Sequence, residues 1–137
     1  MILCTETPTV WRPIMRKPHT IVAVVDDDPS MLKATEDLLG AHGITGAFFS
    51  SAEEFLASQS PGKANCLLVD VHLGGISGIE LRRRLKSAHP ELPVIFMTGL
   101  DDESIRQQAF RAGCFAYLRK PFPADQLIEA INRACPA

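Results

Sequence analysis

Five short apolar runs, each followed by a stretch of helical period, are the feature that most restricts how this chain can fold. The runs Ile21–Val25, Cys66–Val69 and Pro93–Met97 hold no polar side chain. Continuous apolar runs of strand length suit strands buried on both faces, as in a parallel sheet covered by helices. Ile44–Phe49 and Phe115–Leu118 supply the second and fifth strands. Between the first two strands, Pro29 sits at a helix start, where a missing N–H costs little. Met31, Ala34, Thr35, Leu38 and Leu39 follow at helical spacing, and Gly43 ends the segment. Ser51 with Glu54 and Ser77 with Glu80 have capping-box spacing and open the next two helices. Asp101 is placed to cap a fourth helix that runs to about Arg111 and stops at Gly113, and Pro123 opens a fifth with Leu127, Ile128 and Ile131 inward. Strict β/α alternation implies an α/β fold: a doubly wound parallel sheet of five strands with five helices.

The 137 residues suit one domain, with enough chain to bury a core without staples. No apolar run reaches transmembrane length, and the first residues lack the apolar stretch of a signal peptide. Residues 1–19, with Pro8, Pro13 and Pro18 and no period, read as a flexible tail, and residues 20–134 as the folded domain. Met15 is a second possible start close to the first strand. The net charge is −2, and −4 once residues 1–19 are set aside, which is not the concentrated basic face of a nucleic-acid binder. The densest basic run, Arg82, Arg83, Arg84 and Lys86, is expected to spread around a solvated helix face. The four cysteines have neither C-x-x-C nor zinc spacing. Cys66 and Cys114 read as buried small hydrophobes, and a reducing cytoplasm is the simplest compartment.

In doubly wound sheets, ligands collect at the carboxyl ends of the strands. The residues there form one chemical set. Asp26, Asp27 and Asp28 end the first strand, Asp70 the third and Thr98-Gly99 the fourth, while Lys120-Pro121 follow the fifth. Crowded carboxylates repel and are driven to take up protons unless a cation intervenes. Mg2+ prefers oxygen ligands and is typically held by one or two carboxylates, waters and phosphate oxygens. A lysine and a hydroxyl at the same edge suit phosphoryl oxygens, and an ionised carboxylate is a nucleophile that forms an aspartyl phosphate. Asp28, with Pro29 after it, is the better candidate for a helix cap than for a metal ligand.

The stretches Val24-Val25-Asp26-Asp27-Asp28-Pro29-Ser30, Leu68-Val69-Asp70-Val71-His72-Leu73-Gly74-Gly75-Ile76-Ser77-Gly78, Met97-Thr98-Gly99 and Tyr117-Leu118-Arg119-Lys120-Pro121-Phe122 occur in order. In them, residues 20–134 resemble the receiver domain of two-component response regulators. Met97-Thr98-Gly99 and Arg119-Lys120-Pro121-Phe122 look like the nitrogen-fixation regulator subfamily. The resemblance implies a flavodoxin-like sheet of strand order 2-1-3-4-5 and a receiver that is not a metabolic enzyme. It implies Asp70 as phosphoacceptor, Asp26, Asp27, Asp70 and the His72 backbone carbonyl around Mg2+, and Thr98 and Lys120 on the phosphoryl group. It further implies Thr98 and Tyr117 as a switch and a cis Lys120–Pro121 bond. The implied partners are a sensor histidine kinase or histidine phosphotransfer protein and a downstream protein that binds residues 101–134. No direct contact with nucleic acid or membrane is implied, and the receiver is expected to be a monomer or a phosphorylation-dependent dimer. Gly74 stands where the family usually has proline, which loosens the backbone beside Asp70. With no DNA-binding segment after residue 134, the chain is expected to act as a stand-alone receiver through protein partners, as a phosphoryl sink or shuttle, or as a piece of a longer product. Two other classes fit less well. A small Mg2+-dependent phosphatase would usually carry aspartate where His72 stands. A receiver-like module without phosphate turnover would have a broken acidic site.

Overall fold

Side chains alternate along each strand, and that alternation divides the core in two. Val22, Val24, Cys66, Leu68, Ile95, Met97 and Leu118 point to one face of the sheet; Ala23, Val25, Leu67, Val69, Val94, Phe96 and Tyr117 point to the other. A computed structural model describes residues 2–3, 20–100 and 102–136. Six strands lie in one sheet: β1 (Ile2–Leu3), β2 (Ile21–Val25), β3 (Thr45–Phe49), β4 (Cys66–Asp70), β5 (Val94–Thr98) and β6 (Ala116–Arg119). Their order is β1-β6-β5-β4-β2-β3. The five strands from β2 to β6 are mutually parallel, and counted among themselves they have the order 2-1-3-4-5. The sixth was not foreseen. β1 runs antiparallel to β6, with Ile2 opposite Tyr117 and Leu3 opposite Ala116.

The helices are α1 (Pro29–Ala41), α2 (Ala52–Ala57), α3 (Gly78–Ala88), α4 (Glu103–Ala112) and α5 (Ala124–Ala134), with a 3-10 turn at Ser60–Gly62. Leu39 of α1 and Leu127, Ala130 and Ile131 of α5 pack on one face; Phe55 of α2, Leu81 and Leu85 of α3 and Ala109 of α4 pack on the other. Each large apolar side chain so buried contributes roughly 1.5–3 kcal/mol. Among the described residues, no helix is long and apolar enough to cross a membrane.

Local chemistry sets the helix starts. The Asp28 carboxylate accepts from the Ser30 N–H at 2.9 Å and caps α1, as expected of that residue. Ser51 Oγ accepts from Glu54 N and Ser77 Oγ from Glu80 N, at 3.0 and 3.1 Å. Glu54 returns its carboxylate to Ser50, one residue before the cap. The cap of α4 is Asp102, whose carboxylate accepts from Ser104 N at 2.8 Å. The sequence reading had put that role on Asp101, which lies outside the described residues. Gly113 closes α4 at φ 86°, a left-handed conformation that favours glycine.

Two expectations fail. Arg82 is not on a solvated face: it is 8% exposed on the inner side of α3, where its Nε donates to the Gly113 carbonyl at 3.1 Å. Ile79 and Leu85, three residues to either side, define the stripe that carries it inward. Arg83 and Arg84 do face solvent and pair with Glu80. Cys114 is buried but disulfide-bonded. Cys66 is a free buried thiol whose pKa is pushed well above its usual value by its contact with Cys135 and by burial, which leaves it inert as a nucleophile.

Candidate functional site

At the carboxyl edge of the sheet the strands stop together and deliver their last side chains to one place. Asp26 follows β2 and is fully buried; Asp70 ends β4 and is 7% exposed. Lys120, just past β6, reaches across both: its Nζ lies 2.5 Å from Asp70 Oδ2 and 3.0 Å from Asp26 Oδ2. The Lys120–Pro121 bond is cis. The Lys120 backbone N–H donates to the Thr98 carbonyl at 2.7 Å, so β5 fixes where the lysine leaves the sheet.

Backbone amides hold the carboxylates in place. The Asp28 N–H donates to Asp26 Oδ1 at 2.9 Å, and the His72 N–H to Asp70 Oδ1 at 2.6 Å. Each buried carboxylate is thus gripped by an amide on one oxygen and by the shared ammonium on the other. Burial raises the Asp26 pKa, helped by the charge of Asp70 and opposed by the Asp28 amide and Lys120. Lys120 is pulled down by burial, but its bonds and charge contacts with Asp70 and Asp26 outweigh this and its pKa is raised. The lysine is therefore held charged between two acids.

Asp27 is exposed and faces elsewhere, its Oδ2 accepting from the Gly74 N–H at 3.3 Å. Among the described residues, no group of three or more acidic, His or Cys side chains is gathered as a metal site. The structure thus unites Asp26, Asp70 and Lys120, and sets Asp27 on the adjoining loop. The His72 side chain is exposed. Thr98 is fully buried, and its Oγ1 is engaged with the Leu100 backbone: it accepts from Leu100 N at 3.1 Å and donates to Leu100 O at 3.3 Å. Tyr117 is buried, with Phe110 of α4 edge-on at a centroid distance of 6.3 Å. The donor set does fit a hard cation. It is all oxygen, it carries more negative charge than one ammonium cancels, and its buried acid is already short of countercharge.

Gly78 is a site residue that sequence reasoning passed over. A Cβ there would lie 2.3 Å from the Asp70 carbonyl oxygen. Only glycine lets the start of α3 approach the backbone that carries Asp70.

Comparison with known proteins agrees with this geometry. The response regulator receiver domain family matches residues 22–132. The chain is 38% identical over 114 residues to the DNA-binding transcriptional regulator NtrC of Salmonella typhimurium, covering 83% of this chain and 24% of that protein. It is 36% identical to nodulation protein W of Bradyrhizobium diazoefficiens, covering 83% and 50%. The chain therefore spans between a quarter and a half of these relatives. Among solved structures, the BeF3-activated DrrB receiver domain superposes with a TM-score of 0.79 at 32% identity, covering 85% of this chain and 97% of that one. The receiver domain protein from Clostridium thermocellum gives 0.78 at 30%, covering 84% and 93%.

Proposed function

Since the chain belongs to the response regulator receiver domain family, the phosphoacceptor module of two-component systems, we propose that Asp70 is its acceptor and that Asp26 and Lys120 are the groups that make it usable. The observation that carries this reading is the sharing of one ammonium by two buried carboxylates at the strand ends. A carboxylate needs no general base, because it is already ionised at neutral pH. What it needs is relief from like charge as a phosphoryl group approaches, and Lys120 stands where that relief is required.

Transfer breaks the P–N bond of a donor phosphohistidine as a P–O bond forms to one Asp70 oxygen, and the imidazole leaves with the electron pair. Oδ1 is held by the His72 N–H and Oδ2 by Lys120, so the carboxylate is oriented before the donor arrives. After transfer, Lys120 is free to pair with a phosphoryl oxygen. Thr98 Oγ1 takes another by giving up its local bonds to Leu100. Asp26, Asp27, Asp70 and the His72 carbonyl would hold Mg2+, which when bound neutralises charge on the transferring oxygens. Asp27 completes that set by leaving Gly74.

The phosphoryl source in this reading is a sensor histidine kinase or a histidine phosphotransfer protein in the cytoplasm. The readout is a protein partner at residues 101–134, reached through Thr98 and Tyr117. Catalysis is confined to the chain's own phosphorylation and dephosphorylation. Leu100, 55% exposed and apolar, offers no group to orient an attacking water, so the aspartyl phosphate is long-lived. A half-life of seconds would count against that. The central test is incubation with acetyl phosphate and Mg2+ followed by intact-mass measurement. One phosphoryl increment is expected on the parent and none on Asp70→Asn. Equal labelling of the two would remove Asp70 from the role.

A further inference from the structure

An edge strand presents a row of unpaired backbone donors and acceptors, and proteins cover, charge or shorten such edges to keep other chains off them. The parallel sheet has two edges, β3 and β6. Only the β6 edge is covered, and it is covered by the chain's own Ile2–Leu3. The pairing is antiparallel, whereas every other pairing in the sheet is parallel. It falls on Ala116 and Tyr117, so the covering strand lies against the residue that packs on Phe110. The two exposed large apolar side chains among the described residues, Leu100 and Phe110, both lie on the α4 side of this edge. An edge strand flanked by exposed apolar side chains is what one half of a strand-to-strand interface looks like.

We propose that β1 is a built-in blocking strand: it occupies the β6 edge in cis and so keeps that edge from pairing with the β6 edge of a second copy of this chain. Two observations point to a second copy as the excluded occupant. Two identical strands related by a twofold axis meet antiparallel, which is the direction in which β6 already accepts β1. Residues 4–19 separate β1 from the described domain, so β1 is joined to it by a long segment rather than a tight turn and can leave without unfolding the sheet. A two-residue ladder is also short enough to be displaced by the longer one that two four-residue β6 strands make. The inference does not depend on whether Asp70 is phosphorylated.

The test uses the full chain with Ile2→Pro and Leu3→Pro together, since proline removes the donors of β1 while leaving every residue of the domain in place. It is run without any phosphoryl donor and with a thiol reductant present, so that strand pairing alone is read. Amide hydrogen exchange over residues 116–119 and sedimentation equilibrium are measured on parent and variant. The expected result is at least a fivefold loss of exchange protection at one or more of these amides in the variant at low concentration, where it is monomeric. Self-association of the variant at least tenfold tighter than the parent's is expected with it. Phe110→Ser added to the variant should weaken that association, and normal acetyl phosphate labelling of the variant would show the domain to be folded. Unchanged protection would show that β1 does not cover the edge. Lost protection with no gain in association would show that it covers without blocking. Either result overturns the proposal.

Discussion

Single residues at this site are held by backbone as much as by charge, and that makes their substitutions separable. Gly78→Ala puts a methyl group 2.3 Å from the Asp70 carbonyl. It should destabilise the fold by about 1–3 kcal/mol in denaturant titrations and slow acetyl phosphate labelling, because α3 must retreat from β4. Lys120→Met leaves Asp26 and Asp70 buried without a countercharge. Its melting temperature should fall in the absence of Mg2+, and added Mg2+ should raise it more than it raises the parent's. The roles of Asp28 and Asp70 were legible because their cues are local: a proline directly after one, an abrupt end to an apolar run at the other. The need for glycine at 78 was not legible, since it comes from a backbone approach between segments that no pattern in either one announces. The α4 cap was displaced by one residue because Asp101 and Asp102 are chemically equivalent neighbours.

Elements couple the site to the surface through contacts that can be cut one at a time. Tyr117 of β6 meets Phe110 of α4 edge-on, and Thr98 ends the adjoining β5. Tyr117→Ala should leave labelling of Asp70 intact. Beryllofluoride should still shift amide resonances around Asp70 in that variant but shift those of α4 and β6 far less than in the parent. Equal shifts there would remove Tyr117 from the relay. At the other end of α4, Arg82 sends Nε to the Gly113 carbonyl while its buried Nη1 has no hydrogen-bond partner. Burial accordingly lowers its pKa. Arg82→Met keeps the packed stem and removes the buried charge, so its unfolding free energy should stay within about 1 kcal/mol of the parent's, whereas Arg82→Ala should lose about 2–3 kcal/mol to the cavity. Strand and helix order were legible because five elements repeat one period. The inward turn of Arg82 was also available, from its three-residue spacing to Ile79 and Leu85, but it was masked by the basic neighbours on either side. β1 had no such signal, because two residues form a strand only when another strand supplies the partner.

For the molecule as a whole, the site sets stability against use. The raised Asp26 pKa means that the folded state binds the Asp26 proton more tightly than the unfolded chain does. Ionising Asp26 therefore costs stability progressively as pH rises from 3.8 through its folded value, and the cost is absent below 3.8. Asp26→Asn should accordingly be about 1 kcal/mol more stable than the parent at pH 7 without Mg2+, with the difference shrinking as pH approaches 3.8, while its labelling by acetyl phosphate weakens. Denaturant titrations across that range check both sign and window. The bonds that define the site also span the chain: Lys120 lies 50 residues from Asp70 and 94 from Asp26. No fragment that lacks either end of that span can assemble the acceptor. A chain still emerging from the ribosome, or one cut anywhere between β2 and β6, is deaf to its donor, and the incoming message is accepted only by molecules that have finished folding.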